Sequence, residues 1–270
     1  MKKELVKQEF SLSLEQRNYL KSYKQHKVMI IASRILLLIT FLILWEGSAK
    51  LGFIDSFFFS SPSRITSLFL KMTQDYAIFR HMGITLLETS LSFILVILIS
   101  ILSAISLIFF PKAAEVLEPV LVVLNSLPKS ALAPLIIVWL GTGMKTIIIA
   151  GISVALFGSI INMYTGFSQV EEEKIKLIYT LGGSRKDTLT KVILPASIPI
   201  IISNMKVNIG LCLVGVIIGE FLAAKEGLGY LIIYGSQIFQ LDLLILSILI
   251  LCIIAAGLYQ LINLLEKRWA

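Results

Sequence analysis

The sequence is poor in the residues that build soluble enzymes and metal sites. Only 15% of its 270 residues are charged, and it holds two cysteines and two histidines, His26 and His81. A soluble domain usually carries about 25% charged residues. Cys212 and Cys252 both lie in apolar stretches, which excludes a disulfide framework and a cysteine–histidine metal quartet. No set of nucleophile, base and acid stands out either, so we expect no catalytic residues and no enzyme.

Hydrophobic residues dominate instead. They make up 57% of the chain, and the mean hydropathy is +0.89. High apolar content with low charge excludes a disordered chain. A membrane-spanning helix needs about 20 mostly apolar residues, and six runs approach or reach that length. They are residues 28–45, 89–110, 119–140, 146–164, 196–222 and 243–264. The predicted fold class is an all-α polytopic membrane protein with six transmembrane helices.

The distribution of lysine and arginine predicts the orientation of these spans. With the amino terminus inside, fifteen of the 24 basic residues fall on the inner side and six on the outer side. Cytoplasmic loops carry such an excess, so both termini are expected in the cytoplasm of a cell-membrane protein. The net charge of +7 is therefore explained without a nucleic-acid partner. The remaining three cations, Arg34, Lys129 and Lys206, lie inside the spans.

The chain divides by composition into three parts. Residues 1–27 form a polar tail, and residues 28–80 hold the first span and an external amphipathic segment that Ser63 could cap. Residues 81–270 form the remaining core, with a large charged cytoplasmic loop at about 165–195.

This cytoplasmic loop predicts a short helix–turn–helix. Its first part is amphipathic, and Gly182 and Gly183 would end the first helix because glycine adopts the left-handed conformation. Ser184 with Asp187 three residues later approximates a capping box for the second helix. Pro195 is expected to stop that helix and to start the next span.

The loop resembles the signature of permease subunits of binding-protein-dependent ABC importers. Gly182 matches the glycine of that motif, and Leu194-Pro195 matches its distal end at the expected spacing. The Glu-Ala-Ala triplet of the family would fall on Lys176, Leu177 and Ile178, which depart from it. Further segments, in the same order, resemble the nitrate/sulfonate/taurine branch. They include Leu127-Pro128, Ala131–Leu135, Trp139–Gly143, Pro195–Pro199, Lys206, Gly210, Glu220, Gly227–Tyr230 and Ser61-Pro62-Ser63.

The resemblance implies a fold and a set of partners. The fold would be the MetI-like permease fold of type I ABC importers. A second copy of the permease would form a homodimer with this chain and complete the pathway in the membrane lipid. An ABC ATPase would bind ATP, so this chain would need no cofactor and no metal. An extracellular or periplasmic solute-binding protein would deliver nitrate, a sulfonate, taurine or a thiamine-precursor-like compound. The residues expected to contact the ATPase are Lys176, Leu177, Ile178, Gly182, Gly183, Ser184, Arg185, Leu194 and Pro195.

Polar residues inside the spans are candidates for the translocation pathway. A charge at the bilayer centre costs about 2.5–3.5 kcal/mol on insertion scales and usually faces a cavity or a partner. The alternatives for Lys129 and Lys206 are snorkelling or pairing with Glu220, Asn125 or a neighbouring carbonyl. Asn204 and Asn208 share one helix face and could instead bond between helices. The candidates are Lys206, Asn204, Asn208, Lys129 and Glu220. A rival function is an ATPase-independent carrier or channel, which would usually show inverted repeats that this sequence lacks.

Overall fold

The structure of the protein is a computed structural model, and it describes residues 14–269. Of the predicted amino-terminal tail, residues 1–13 lie outside this range. The described part is helical and holds no strand, which confirms the all-α class. In chain order the helices are α1 (Leu14–Lys50), α2 (Ser56–Phe59), α3 (Pro62–Gln74), α4 (Ala77–Phe109), α5 (Pro111–Ser126), α6 (Lys129–Leu140), α7 (Met144–Ser168), α8 (Glu172–Thr180), α9 (Arg185–Thr188), α10 (Leu194–Ala223), α11 (Leu228–Gln237) and α12 (Leu241–Trp269).

Five helices in this range are long and apolar enough to span a membrane. They lie at Lys21–Lys50, Ala77–Phe109, Met144–Ser168, Arg185–Ala223 and Leu241–Lys267. The pair α5 and α6 makes a sixth span if it is counted as one bent helix. Six apolar runs therefore correspond to five continuous helices and one broken one.

The chain divides into two compact units, residues 1–66 and 67–270. In the first unit, the Glu46 carboxylate near the end of α1 accepts hydrogen bonds from the Ser63 backbone N–H at 3.0 Å and from the Ser63 hydroxyl at 2.9 Å. Ser63 lies in the first turn of α3, which begins at Pro62. Ser63 is therefore not the residue that precedes the helix, as the sequence suggested. A carboxylate from α1 satisfies its N–H instead, which favours the start of α3 through the helix dipole.

The second unit is built around three long helices, α4, α7 and α10. One fully buried residue from each, Val96, Ala155 and Cys212, meets in a common cluster. Helices α7 and α10 pack closely. A Cβ atom at Gly215 would lie 2.8 Å from the Ala150 carbonyl oxygen. Small residues are favoured where helices pack in membranes, because they let the backbones come close.

Two spans differ from their predicted extents. Helix α4 begins at Ala77 instead of 89, and the polar residues Thr85 and Glu88 in this extension are buried. The predicted span 119–140 is broken, and its two helices meet at an angle of 94°. Pro128 disfavours the helical conformation of the residue before it, and Leu127 is accordingly extended, with ψ 139°.

Pro195 does not end the second helix of the loop at residues 165–195, which corrects the sequence-based expectation. Residues Arg185–Ala223 form one continuous helix that runs from the loop into the fifth span. A π-helical turn at Leu189–Ile193 precedes the proline, and the Leu194 N–H bonds the Leu189 carbonyl five residues back. This wider turn accommodates a ring that would clash with the carbonyl of residue i−4 in a regular α-helix.

The contact between α7 and α10 yields a stability prediction. We expect Gly215→Ala to lower stability by about 1–3 kcal/mol, because the added methyl group would overlap the Ala150 carbonyl and force the helices apart. Gly210→Ala in the same helix is the matched control, because a Cβ there meets nothing within 4 Å. Thermal unfolding of the two purified variants in detergent measures the difference. Equal melting temperatures would show that this crossing is not tightly packed.

Candidate functional site

The loop at residues 165–195 has the predicted helix–turn–helix form. Gly182 has φ +80° and ends the first helix, as its sequence position suggested. The Gly183 N–H donates to the Ile178 carbonyl at 2.9 Å. A Cβ atom at Gly183 would lie 2.5 Å from the Ile178 Cγ2 atom, whereas one at Gly182 would meet nothing within 4 Å. Gly183 is thus required by the fold of the loop itself, and Gly182 leaves its surface open.

The predicted capping box at Ser184 is present. The Ser184 hydroxyl accepts from the Asp187 N–H at 3.3 Å, and the Asp187 carboxylate accepts from the Ser184 N–H at 2.9 Å. Lys191 also pairs with the Asp187 carboxylate at 2.9 Å. These reciprocal bonds satisfy donors that a helix start leaves free, so the turn between the two loop helices is well defined.

Part of the loop surface is apolar and exposed. Leu177 and Leu181 are 57% and 75% exposed and stand one helical turn apart. Beside them, Lys176 donates to the Glu172 carboxylate at 2.9 Å. The Lys176 ammonium holds the pKa of that carboxyl below its usual value. The opposite face of α8 is different, because Ile175 and Ile178 are partly buried. The loop therefore presents a mixed apolar and charged surface away from the helix bundle.

At the other end of α10, the Glu220 carboxylate is fully buried and hydrogen-bonded to two other helices. It accepts from the Thr85 hydroxyl of α4 at 2.7 Å and from the Gly229 N–H at the start of α11 at 2.5 Å. The Thr85 hydroxyl in turn accepts from the Leu228 N–H at 2.8 Å. The His81 ring accepts from the Gly227 N–H at 2.9 Å. The first N–H groups of α11 are thus satisfied by side chains of α4 and α10.

A second buried carboxyl, that of Glu88 in α4, lies near the Glu220 carboxyl. Sequence reasoning missed this residue because the predicted span began at Thr89. The signal was nevertheless present. Thr85, Glu88, Thr89 and Ser92 recur at intervals of three and four residues and are all buried. Such spacing places them on one face of a helix, where a polar stripe must find partners inside the protein.

The two predicted asparagines lie together between α7 and α10. The Asn204 and Asn208 amides donate to the Ser159 hydroxyl at 2.8 and 3.0 Å, and Asn208 also donates to Asn204. Asn204 is 5% exposed and borders a cavity of about 320 Å³ in the half of the same helices that lies toward the loop at residues 165–195. These amides therefore bond between helices and also stand at the edge of a polar cavity.

The two lysines of the predicted spans both have partners. Lys206 donates to the Asn263 side chain at 3.1 Å and forms an ion pair with Glu266, both in α12. Lys129 donates to the Leu124 carbonyl at 3.0 Å and to the Asn125 carbonyl. Those are carbonyls of the last turn of α5, where a cation is favoured by the helix dipole. Neither lysine contacts Glu220 through a hydrogen bond that the structure records.

Comparison with known proteins decides the family. The model of the binding-protein-dependent transport system inner membrane component family matches residues 96–270. A probable ABC transporter permease of Haemophilus influenzae is 32% identical over 228 residues, which cover 84% of this chain and 92% of that protein. The chain belongs to this permease family.

Further similarities agree with this assignment. The formylaminopyrimidine transport permease ThiX of Halalkalibacterium halodurans is 25% identical, over 70% of this chain and 75% of that protein. The taurine transport permease TauC of Escherichia coli K12 is also 25% identical, over 84% of each chain. A structure of the MetNI methionine ABC transporter matches the fold with a TM-score of 0.63 at 16% identity, over 72% of this chain and 97% of that one.

The protein is thus a permease subunit of an ABC importer, and it is a multi-pass protein of the inner membrane. Such a subunit works together with ATPase and permease partners. Within residues 14–269, no group of three or more His, Cys, Asp or Glu side chains could hold a metal ion.

The bonds around Glu220 give a second prediction. We expect Thr85→Val to destabilise the permease by about 1–3 kcal/mol, because the buried Leu228 N–H and one Glu220 oxygen both lose a partner. Thr190→Val is the matched control, since that exposed hydroxyl only donates to the Lys186 carbonyl of its own helix. The thermal unfolding midpoints of both variants in detergent are compared with that of the wild type. A Thr85 variant as stable as the Thr190 variant would contradict this account.

Proposed function

We propose that the loop at residues 165–195 is the surface through which the permease is driven by a separate ABC ATPase. The observation that carries this proposal is the continuous helix Arg185–Ala223, which joins the loop to the membrane core. A rigid helix transmits a displacement at one end to the other without loss to bending at a joint. ATP hydrolysis would take place in the partner, and this chain would transmit the resulting movement from the loop to the membrane core.

The docking surface in this proposal includes the residues taken from the family motif. They are Lys176, Leu177, Ile178, Gly182, Gly183, Ser184, Arg185, Leu194 and Pro195. Exposed Leu177 and Leu181 support the outer part of this surface, because paired apolar side chains on a polar loop are typical of protein contacts. Ile178 and Leu194 are partly buried, so we assign them to holding the loop helices against the bundle.

We further propose the topology that the basic residues predict. Both termini would lie in the cytoplasm, with residues 1–27 as a tail, 28–80 as the first span with its external segment, and 81–270 as the permease core. Two copies would form the pathway as a homodimer, and an external binding protein would deliver the solute. Candidate solutes are those of the resembling branch and of the relatives, namely nitrate, sulfonates, taurine and formylaminopyrimidine.

Among the five polar candidates for the pathway, the structure supports different roles. Asn204 borders a cavity, so we propose that it and its neighbour Asn208 line the route. Lys206, Lys129 and Glu220 are engaged with Glu266, helix carbonyls and α11, respectively. We propose that these three shape the route by fixing α12, α5 and α11 around it.

The partner proposal is tested by purifying the tagged permease from native membranes in mild detergent. Mass spectrometry should recover an ABC ATPase in an amount comparable with the permease. An external binding protein recovered with it would then be screened for its ligand. Recovery of intact permease in good yield without an ATPase would contradict the proposal and favour an ATPase-independent carrier.

The docking surface is tested by a charge placed at Gly182. We expect Gly182→Asp to reduce ATP-dependent uptake roughly tenfold or more, because a buried uncompensated charge at an interface costs over 1.4 kcal/mol. Gly182→Asn is the matched control, since it has the same shape, tolerates the positive φ and adds no charge. Uptake is measured in cells that contain equal amounts of each variant in the membrane.

Similar uptake by the Asp and Asn variants would show that Gly182 is not in the contact with the ATPase. Loss in both variants would assign the effect to the strained backbone instead of the charge. Recovery of the ATPase with each variant, measured in the same membranes, separates a failure to dock from a failure to transport after docking.

A further inference from the structure

A cavity of about 550 Å³ opens where α4, α7 and the segment after α10 meet. Its volume lies in the range of sites for small ligands, which is about 300–1,000 Å³. Most of the lining is apolar, and Leu87, Ile147 and Ala223 belong to it. Glu88 also lines it, although only 2% of this residue is exposed. A mostly apolar cavity with one buried polar group is the usual form of a small-molecule site.

The Glu88 carboxyl has one oxygen atom without a partner. Its Oε2 atom is buried and accepts no hydrogen bond from any residue that the structure describes. The carboxyl lies near the buried carboxyl of Glu220. Glu220 already accepts from Thr85 and Gly229. Glu220 thus has donors of its own, whereas the Glu88 Oε2 atom is a buried oxygen that is open to a hydrogen-bond donor.

An unsatisfied acceptor in a buried position is costly, and a ligand that supplies an N–H group would relieve that cost. No other charged group that the structure describes near the cavity forms a hydrogen bond with Glu88 Oε2. Lys225 lines the cavity but is exposed, and Glu226 forms an ion pair with Arg80. The His81 Nδ1 atom is occupied by the Gly227 N–H. The buried end of the cavity is thus an acceptor site, with a lysine at its exposed side.

We propose that Glu88 Oε2 accepts a hydrogen bond from an amino group of the transported solute, so that this importer selects amine-bearing solutes over amine-free anions. The inference rests on the proposed function and names its substrate class. Nitrate and alkanesulfonates offer only acceptor atoms and would leave Glu88 unpaired. Taurine and aminopyrimidines carry the required donor. In taurine, the sulfonate would in addition lie toward Lys225.

The test uses the complete transporter with its ATPase and binding protein, reconstituted in liposomes. The probes are two matched pairs, taurine with ethanesulfonate and 4-amino-2-methylpyrimidine with 2-methylpyrimidine. We expect ATP-dependent import of at least one amino compound at a rate about tenfold or more above that of its amine-free partner. A difference of this size is expected because the amine-free compound leaves a buried acceptor without its hydrogen bond. Equal or faster import of the amine-free member, or import of nitrate, would overturn the substrate class.

The proposed substrate class would also be overturned if a complex that hydrolyses ATP imported neither amino compound. None of these results would affect the proposed coupling to an ATPase, because that function is judged by ATPase recovery and by ATP hydrolysis in the same preparation. Failure of the two proposals can therefore be told apart.

Variants of Glu88 connect the selectivity to this residue. Glu88→Leu removes the acceptor, and we expect it to lower import of the amino compound about tenfold and to reduce the preference over its partner. Glu88→Gln keeps an acceptor oxygen and nearly the same shape, so it should retain import and selectivity. Asp75→Leu, an exposed acid outside the cavity, controls for loss of a carboxyl group. A selectivity ratio unchanged in Glu88→Leu would overturn the proposal, whether or not total import falls.

Discussion

One end of the permease core is organised by the buried carboxylate of Glu220. A carboxylate in a low-dielectric interior is unfavourable unless several donors surround it. Here the donors come from α4, through Thr85, and from the start of α11, through Gly229. The same contacts require glycine at two positions. A Cβ atom at Gly227 would overlap the carboxyl group, and one at Gly229 would lie 2.8 Å from its Oε2 atom. The two glycines of the Gly227-Leu228-Gly229 sequence are therefore required by the Glu220 side chain that they surround.

The opposite end of the same helix carries the loop that we propose to meet the ATPase. The helix from Arg185 to Ala223 has 39 residues, which corresponds to a length of about 58 Å at 1.5 Å per residue. Along it lie the capping box of the loop, the asparagine contacts with Ser159 and the glycines that pack on α7. Because one continuous helix carries all of these contacts, the loop cannot move without also moving the residues that make them.

Sequence patterns predicted much of this arrangement. The apolar runs, the left-handed Gly182 and the Ser184 capping box depend on local physical chemistry, and the structure agrees with each. Three features escaped. The proline at 195 was expected to stop a helix, since the π-turn that accommodates it leaves no compositional signal. The partners of Lys206 in α12 depend on which helices become neighbours, whereas Lys129 bonds neighbouring carbonyls, which was one of the alternatives that the sequence offered. Glu88 was overlooked because a span assigned from hydropathy ends at a charged residue. Average hydropathy does not detect polar residues that recur on one face of a helix.

The π-turn at Leu189–Ile193 has a consequence for the angular position of side chains. A π-turn holds one residue more than the α-helical turn that it replaces, and each residue in an α-helix advances by about 100°. Every side chain from Leu194 to Ala223 is therefore rotated by roughly that angle relative to the loop, compared with an unbroken α-helix. The direction in which Asn204 and Glu220 face their partners is in this way set by a single extra residue at the start of the helix.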